Sequence, residues 1–174
     1  MSDITTVILA AGNSTRFKAS KSKLIYPLCG LPIVSHIYNI AKKISGKNVL
    51  IVCNDKNKDE LKSILDTSKF VVQKKQKGTA DAIEKVKKYV RSKNILILFG
   101  DTPLVEVKDI RKLISKFKKS KAKASLIAFN TLKPHGYGRL LLNKNYVKEI
   151  IEQINLQSEQ KKINLCNSGI LISN

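Results

Sequence analysis

No apolar stretch in this 174-residue sequence approaches the length that a bilayer span requires, so no membrane helix is expected. The N-terminus lacks a cationic segment ahead of a hydrophobic one, which argues against an export signal and makes the cytoplasm the expected compartment. Cysteine is sparse. Cys29, Cys53 and Cys166 are odd in number, far apart and without a CxxC pair, so neither a disulfide framework nor a zinc site is suggested, and reduced, mostly buried thiols are expected. Aromatic residues make up 6% of the chain and are not interleaved with the basic ones. That matters because the net charge is +20, from 33 Lys and Arg against 13 Asp and Glu, a balance that would suit a nucleic-acid binder or an acidic membrane surface. The lysines are scattered through nearly every segment and no base-stacking pattern accompanies them, so no specific nucleic-acid partner is read. Ser-His-Asp and Cys-His arrangements, internal repeats, Pro/Gly linkers and low-complexity tails are also missing, and the length suits one domain over residues 1–174.

What is present is a rhythm. Apolar runs at Val7–Ala11, Val49–Cys53, Phe70–Val72 and Ile95–Phe99 have the length and β-branched character of buried strands. Between them lie stretches of helical spacing: Ile33–Ile44, opened by Pro32, then about Asp55–Leu65, and Gly78-Thr79 through about Val90. A further helix from about Val107 to Phe117 leads to a fifth strand near Ala124–Phe129. From His135 the rhythm changes to short strands, near Gly136–Leu140, at Val147–Ile151 and at Asn164–Ile172. The fold class is therefore α/β, a Rossmann-like three-layer α/β/α sandwich around a mostly parallel, mixed sheet. His36 falls on the apolar side of the first helix and reads as a packed core histidine. His135 takes no role.

In open α/β sheets ligands bind outside the carboxyl ends of the strands. Three segments should converge there: Gly12 to Arg16, Gln73, and Gly100-Asp101. The first breaks an apolar run into small and polar residues, leaving N–H groups free beside Arg16, Lys21 and Lys23, which is what a polyphosphate needs. It is neither a Walker A loop nor a GxGxxG turn, since Gly12 is its one glycine. Read singly, Gly78-Thr79 could merely open a helix, Asp101 could be a turn residue with Thr102 capping and Pro103 in the first helical turn, and Glu152 and Asn167 could be a solvated carboxylate and a strand-end turn residue.

Taken in order, the blocks resemble a known family. Leu9-Ala10-Ala11-Gly12 with Thr15-Arg16, Lys23-Leu24, Gly30-Leu31-Pro32, Gln73 with Gly78-Thr79-Ala80-Asp81-Ala82, Phe99-Gly100-Asp101, Gly136-Tyr137-Gly138-Arg139, Ile151-Glu152-Gln153 and Asn167-Ser168-Gly169-Ile170 resemble the sugar nucleotidyltransferases. They are most similar to the uridylyltransferase half of the bacterial bifunctional N-acetylglucosamine-1-phosphate uridyltransferases. The resemblance implies transfer of UMP from UTP to a sugar 1-phosphate, with Mg²⁺ as cofactor and pyrophosphate as the second product. It implies Arg16 and Lys23 as the catalytic cations and Asp101 as a Mg²⁺ ligand. Leu9, Ala10, Ala11, Gly12, Lys23, Gln73, Gly78, Thr79, Phe99 and Gly100 would bind the nucleotide, with Gln73 offering uracil one donor and one acceptor. Gly138, Glu152 and Asn167 would face the sugar. Oligomerisation with identical copies is left open.

The sequence departs from the family pattern in three respects. Ser14 stands where glycine is usual, and Ser22 replaces the proline before the catalytic lysine, which leaves Lys21 competing with Lys23. The family's domain continues past position 174 to an expected asparagine that supplies a second metal ligand, and this sequence holds no acetyltransferase half, so a fragment, a truncated product and a divergent short form all stay open. The alternatives are a transferase for another sugar or a molybdopterin-type acceptor, and a nucleotide-binding module without catalysis.

Overall fold

The computed structural model describes residues 3–12, 17, 21–67, 69–75 and 78–174. Residues 13–16, including Arg16, lie outside the described residues.

Strand β1 (Ile4–Leu9) is followed by a single 3-10 turn (Lys23–Ile25) and a two-residue hairpin, β2 (Pro27–Leu28) and β3 (Leu31–Pro32). Then come α1 (Ile33–Ser45), β4 (Val49–Cys53), α2 (Lys58–Ile64), β5 (Phe70–Val72), α3 (Thr79–Lys87), β6 (Asn94–Phe99), α4 (Val107–Lys119) and β7 (Ala124–Asn130). The chain closes with β8 (Arg139–Asn143), β9 (Tyr146–Ile151) and β10 (Leu165–Ser173). The main sheet runs β5-β4-β1-β6-β10-β8-β9, and β7 pairs with β10. The first four of these pair in parallel, so the sheet is mixed and mostly parallel through its centre, as expected.

The alternation of side chains along the strands builds two faces. Ile4, Ile8, Val49, Ile51, Leu96 and Leu98 point to a core shared with Val34, Ile37 and Ala41 of α1, Leu61 of α2, and Ile110, Leu113 and Phe117 of α4. Val7, Leu50, Val52 and Val71 face the other way, against Ala82 and Val86 of α3. A strand buried on both faces reads as continuous apolar sequence, and β4 is buried at every position. Among the described residues no helix is long and apolar enough to cross a membrane.

The fifth strand departs from the simple rhythm. β7 runs in the direction of the parallel strands but does not pair with β6, because β10 lies antiparallel between them. One edge of β10 serves β7 along its length. The other edge is divided: Leu171–Ser173 pair with β6, and Cys166 pairs with Arg139 of β8. The switch falls at an irregularity between Asn167 and Leu171, where Gly169 takes φ +79°. The β8–β9 hairpin is thereby carried past the carboxyl end of β6. His36 also differs from expectation: it is half-buried, and its Nε2 lies 2.8 Å from the Leu28 carbonyl, tying α1 to the small hairpin.

Candidate active site

The carboxyl ends of β1, β4, β5 and β6 surround a cavity of about 660 Å³. Its wall contains Leu9, Ala10, Ala11, Gly12, Lys23, Gln73, Gly78, Thr79, Phe99 and Asp101, together with Phe17, Leu24, Val52 and Ala82. Ten of the expected residues therefore meet at one place although they come from the ends of β1, β5 and β6, the 3-10 turn and the start of α3. Gly100 sits behind the wall. Its N–H donates to the Leu9 carbonyl at 2.9 Å, and a Cβ there would lie 3.4 Å from Leu24 Cδ2.

Lys23 stands on the 3-10 turn that Leu24 anchors in the core. Ser22, in place of the family's usual proline, caps this turn by accepting from the Leu24 N–H at 3.4 Å. Lys23 Nζ lies 2.5 Å from Asp101 Oδ2, with the two side chains 33% and 37% exposed. Lys21, the competing cation, is exposed and does not belong to the cavity wall. Asp101 follows β6 in a turn closed by Thr102, whose hydroxyl donates to the Phe99 carbonyl at 2.8 Å. Helix α4 begins only at Val107, so Pro103 is not in its first turn. At Gly78-Thr79 both readings hold: Thr79 opens α3, Gly78 precedes it at φ +96°, and both face the cavity.

Gln73 is buried at the end of β5, and its amide differs from the expected one-donor, one-acceptor reader. Both N–H donors are engaged, with the Gly78 carbonyl at 3.1 Å and with Asp81 Oδ2 at 2.7 Å.

Gly138, Glu152 and Asn167 do not line this cavity, but they lie together beside it. The Asn167 N–H donates to the Gly138 carbonyl at 2.9 Å, and a Cβ on Gly138 would lie 3.2 Å from Glu152 Oε1. Gly169 links the trio to the cavity. It accepts no Cβ because Phe99, a wall residue, packs directly on it, and its N–H donates to Asn167 Oδ1 at 2.9 Å.

Two supports went unseen in the sequence. The first is a pair of buried asparagines after β4. Asn54 and Asn57 each accept the other's backbone N–H, at 2.9 and 3.0 Å, and each turns its amide donor on the opening loop. Asn57 Nδ2 donates to the Ala10 carbonyl at 2.7 Å, and Asn54 Nδ2 donates to the Ala11 carbonyl at 2.9 Å. The signal was the N-x-x-N spacing at a strand end, where Asn commonly bonds backbone locally. The second is Arg139, fully buried, whose guanidinium donates to the Ile163 carbonyl at 3.0 Å, to Gln153 Oε1 at 3.1 Å and to the Tyr137 carbonyl. It fastens the segments on either side of Gly138 and Glu152.

Fold and site together define an α/β domain with its ligand cavity at the carboxyl ends of parallel strands. A family model described as the MobA-like NTP transferase domain matches residues 6–163, and the chain belongs to that family. The chain is 41% identical over 174 residues to the bifunctional protein GlmU of Campylobacter fetus subsp. fetus, covering 97% of this chain and 39% of that protein. It is 40% identical to the GlmU of Buchnera aphidicola subsp. Schizaphis graminum, covering 99% and 37% respectively. The chain thus spans just under two fifths of the length of the curated relatives it matches. In fold it is similar to a putative glucose-1-phosphate thymidylyltransferase from Bacillus anthracis, with a TM-score of 0.83 at 20% identity over 98% of this chain and 71% of the other. The inositol-1-phosphate CTP transferase of T. maritima matches with a TM-score of 0.75 at 19% identity, over 98% and 70%.

Proposed function

We propose that this chain is the uridylyl-transferring part of an enzyme that joins UMP from UTP to N-acetylglucosamine 1-phosphate. The observation that carries the reading is the meeting of Lys23 and Asp101 in the wall of one cavity, with the Gly138, Glu152 and Asn167 group joined to that wall through Gly169 and Phe99. The GlmU relatives favour this substrate pair over other nucleotidyl acceptors.

In the reaction a phosphate oxygen of the sugar phosphate forms a bond to the α-phosphorus of UTP, and the bond from that phosphorus to the bridging oxygen breaks as pyrophosphate leaves. The attacking oxygen is already ionised at neutral pH, so no general base is needed. Catalysis then rests on positioning and on charge. Lys23 would turn its ammonium from Asp101 to the phosphates, and Arg16, by resemblance, would add a second cation. Gln73, Gly78 and Thr79 would hold base and ribose, while Glu152 and Asn167 would hold sugar hydroxyls.

A magnesium ion fits this donor set in one respect. Among the described wall residues Asp101 is the one carboxylate, and among the described residues no group of three His, Cys, Asp or Glu could form a cage. Mg²⁺ is commonly held by one or two carboxylates together with substrate phosphates, so Asp101 would hold it jointly with the triphosphate. When bound, the ion would neutralise phosphate charge and align the displacement.

Pyrophosphate release, assayed across a panel of triphosphates and sugar phosphates with Mg²⁺, tests the proposal. UTP with N-acetylglucosamine 1-phosphate should give the highest kcat/KM, and a clear preference for another pair would overturn it.

A further inference from the structure

The Gln73 amide has a settled orientation for a chemical reason. Its two N–H donors meet the Gly78 carbonyl and the Asp81 carboxylate, and neither partner could receive the amide's oxygen in their place. Asp81 is itself held in the first turn of α3, with Lys85 Nζ 3.4 Å from its other oxygen, Oδ1. Gln73 Oε1 has no hydrogen-bond partner among the described residues, although the side chain is 4% exposed and belongs to the cavity wall. A buried acceptor left open in this way is costly until a ligand supplies a donor.

We infer that Asp81 is a specificity-determining residue that acts without touching the ligand. By holding both donors of the Gln73 amide it leaves the cavity a fixed acceptor, and so selects a pyrimidine whose N3 carries a proton. Uracil and thymine present N3–H to such an acceptor. Cytosine presents a lone pair at the same position, which would face the carbonyl oxygen of Gln73 and leave both unsatisfied. The inference rests on the proposal that this cavity takes the nucleotide, and it narrows the expected reading of Gln73 from two hydrogen bonds to one.

The test is the ratio of dissociation constants for UTP and CTP, measured by calorimetry on the full chain, with dTTP as a third ligand. The unmodified protein should bind UTP and dTTP about ten- to a hundredfold more tightly than CTP, the factor that one unmatched buried hydrogen-bonding group commands. In Asp81→Asn the side chain at 81 can donate as well as accept, so the Gln73 amide can turn round. The Gly78 carbonyl still opposes that turn. The preference for UTP over CTP should therefore fall about tenfold without inverting, while sugar phosphate binding is unchanged. A purely structural role for Asp81 would lower the melting temperature and weaken both nucleotides equally, leaving the ratio intact, and that result overturns the inference. Gln73→Met removes the acceptor altogether and should bring the ratio close to one; it serves if Asp81→Asn fails to fold, and an unchanged ratio there is equally fatal. Binding neither pyrimidine would sink this inference and the proposed function together. Uridylyl transfer with an unchanged ratio in both variants sinks the inference alone, and UTP selectivity without transfer sinks the proposed reaction alone.

Discussion

Replacing Gly169 by alanine should be among the most damaging single-methyl changes this chain can suffer. A Cβ built on Gly169 lies within 3.1 Å of three carbons of the Phe99 ring, and the residue's φ is +79°, a conformation that costs a side-chain-bearing residue about 1–2 kcal/mol. Forcing an added methyl into a packed interior costs about 1–3 kcal/mol more. The sum is about 2–5 kcal/mol. At about 2–4 °C of melting temperature per kcal/mol for a chain of this size, Gly169→Ala should melt on the order of 10 °C lower. Gly46→Ala separates the two causes. Gly46 also has positive φ, +59°, but no atom lies within 4 Å of its Cβ position, so that variant carries backbone strain without the clash. Thermal and urea denaturation of both variants give the difference. Because Phe99 belongs to the cavity wall, Gly169→Ala should also weaken nucleotide binding, which Gly46→Ala should not. The reasoning fails if Gly169→Ala melts no lower than Gly46→Ala.

Three other outcomes follow from named contacts. The Lys23–Asp101 pair is about one-third exposed, so Lys23→Met or Asp101→Asn should change stability by only about 0–1 kcal/mol. Turnover should nevertheless fall by about a hundredfold or more in Lys23→Met, as loss of an electrostatic stabiliser does, and steady-state kinetics beside denaturation would expose any mismatch. Asn57→Ala strips the Ala10 carbonyl and the Asn54 N–H of their partners and should cost about 2 kcal/mol or more, with the KM for triphosphate rising further than that for sugar phosphate. Burial pushes the Cys53 thiol pKa up, partly offset by the nearby Lys58. A raised folded-state pKa gives stability that is present below the unfolded thiol's value of about 8.5 and is lost as pH rises through the folded value. The stability difference between the parent and Cys53→Ala should therefore shrink with rising pH above about 8.5, whereas exposed Cys29 should react with a thiol reagent throughout; rapid modification of native Cys53 would contradict its burial.

The strands were legible where burial on both faces makes the sequence continuously apolar. Val49–Cys53 and Phe70–Val72 could be placed to the residue because no polar position interrupts them and turn-forming residues bound them. The place of β10 could not be read in this way. Its insertion between β6 and β7 is a pairing between segments far apart in the sequence, and alternation along a single strand is the same whichever neighbour it takes. The convergence of Gln73, Gly78 and Asp101 at one rim followed from the parallel order alone, since parallel strands place their carboxyl ends on one side. The state of those side chains did not follow. That Gln73 spends both donors inside the protein depends on Asp81 standing eight residues away on a helix whose first turn faces the amide, and composition carries no trace of that geometry.

The supports missed in the sequence share one physical cause. Where a strand ends and the chain turns into a loop at a sheet rim, carbonyl groups leave the ladder and need donors that the sheet no longer provides. Here side chains supply them: Asn57 and Asn54 for Ala10 and Ala11, and Arg139 for Tyr137 and Ile163. Each of these bonds fixes which way a loop carbonyl faces, and the peptide plane then fixes the N–H that follows it. A site that holds phosphates by backbone N–H groups needs that direction set before the ligand arrives, since a loop ordered only on binding would charge its ordering entropy against affinity. Lys23 and Asp101 are placed on the opposite principle. Their side chains are about one-third exposed, paired with each other, and without a backbone carbonyl partner among the described residues, so each can exchange its partner for a phosphate or a cation at little cost to the fold. Rigid neutral donors behind the wall and an exchangeable charge pair on it are the division of labour that a polyanionic substrate requires.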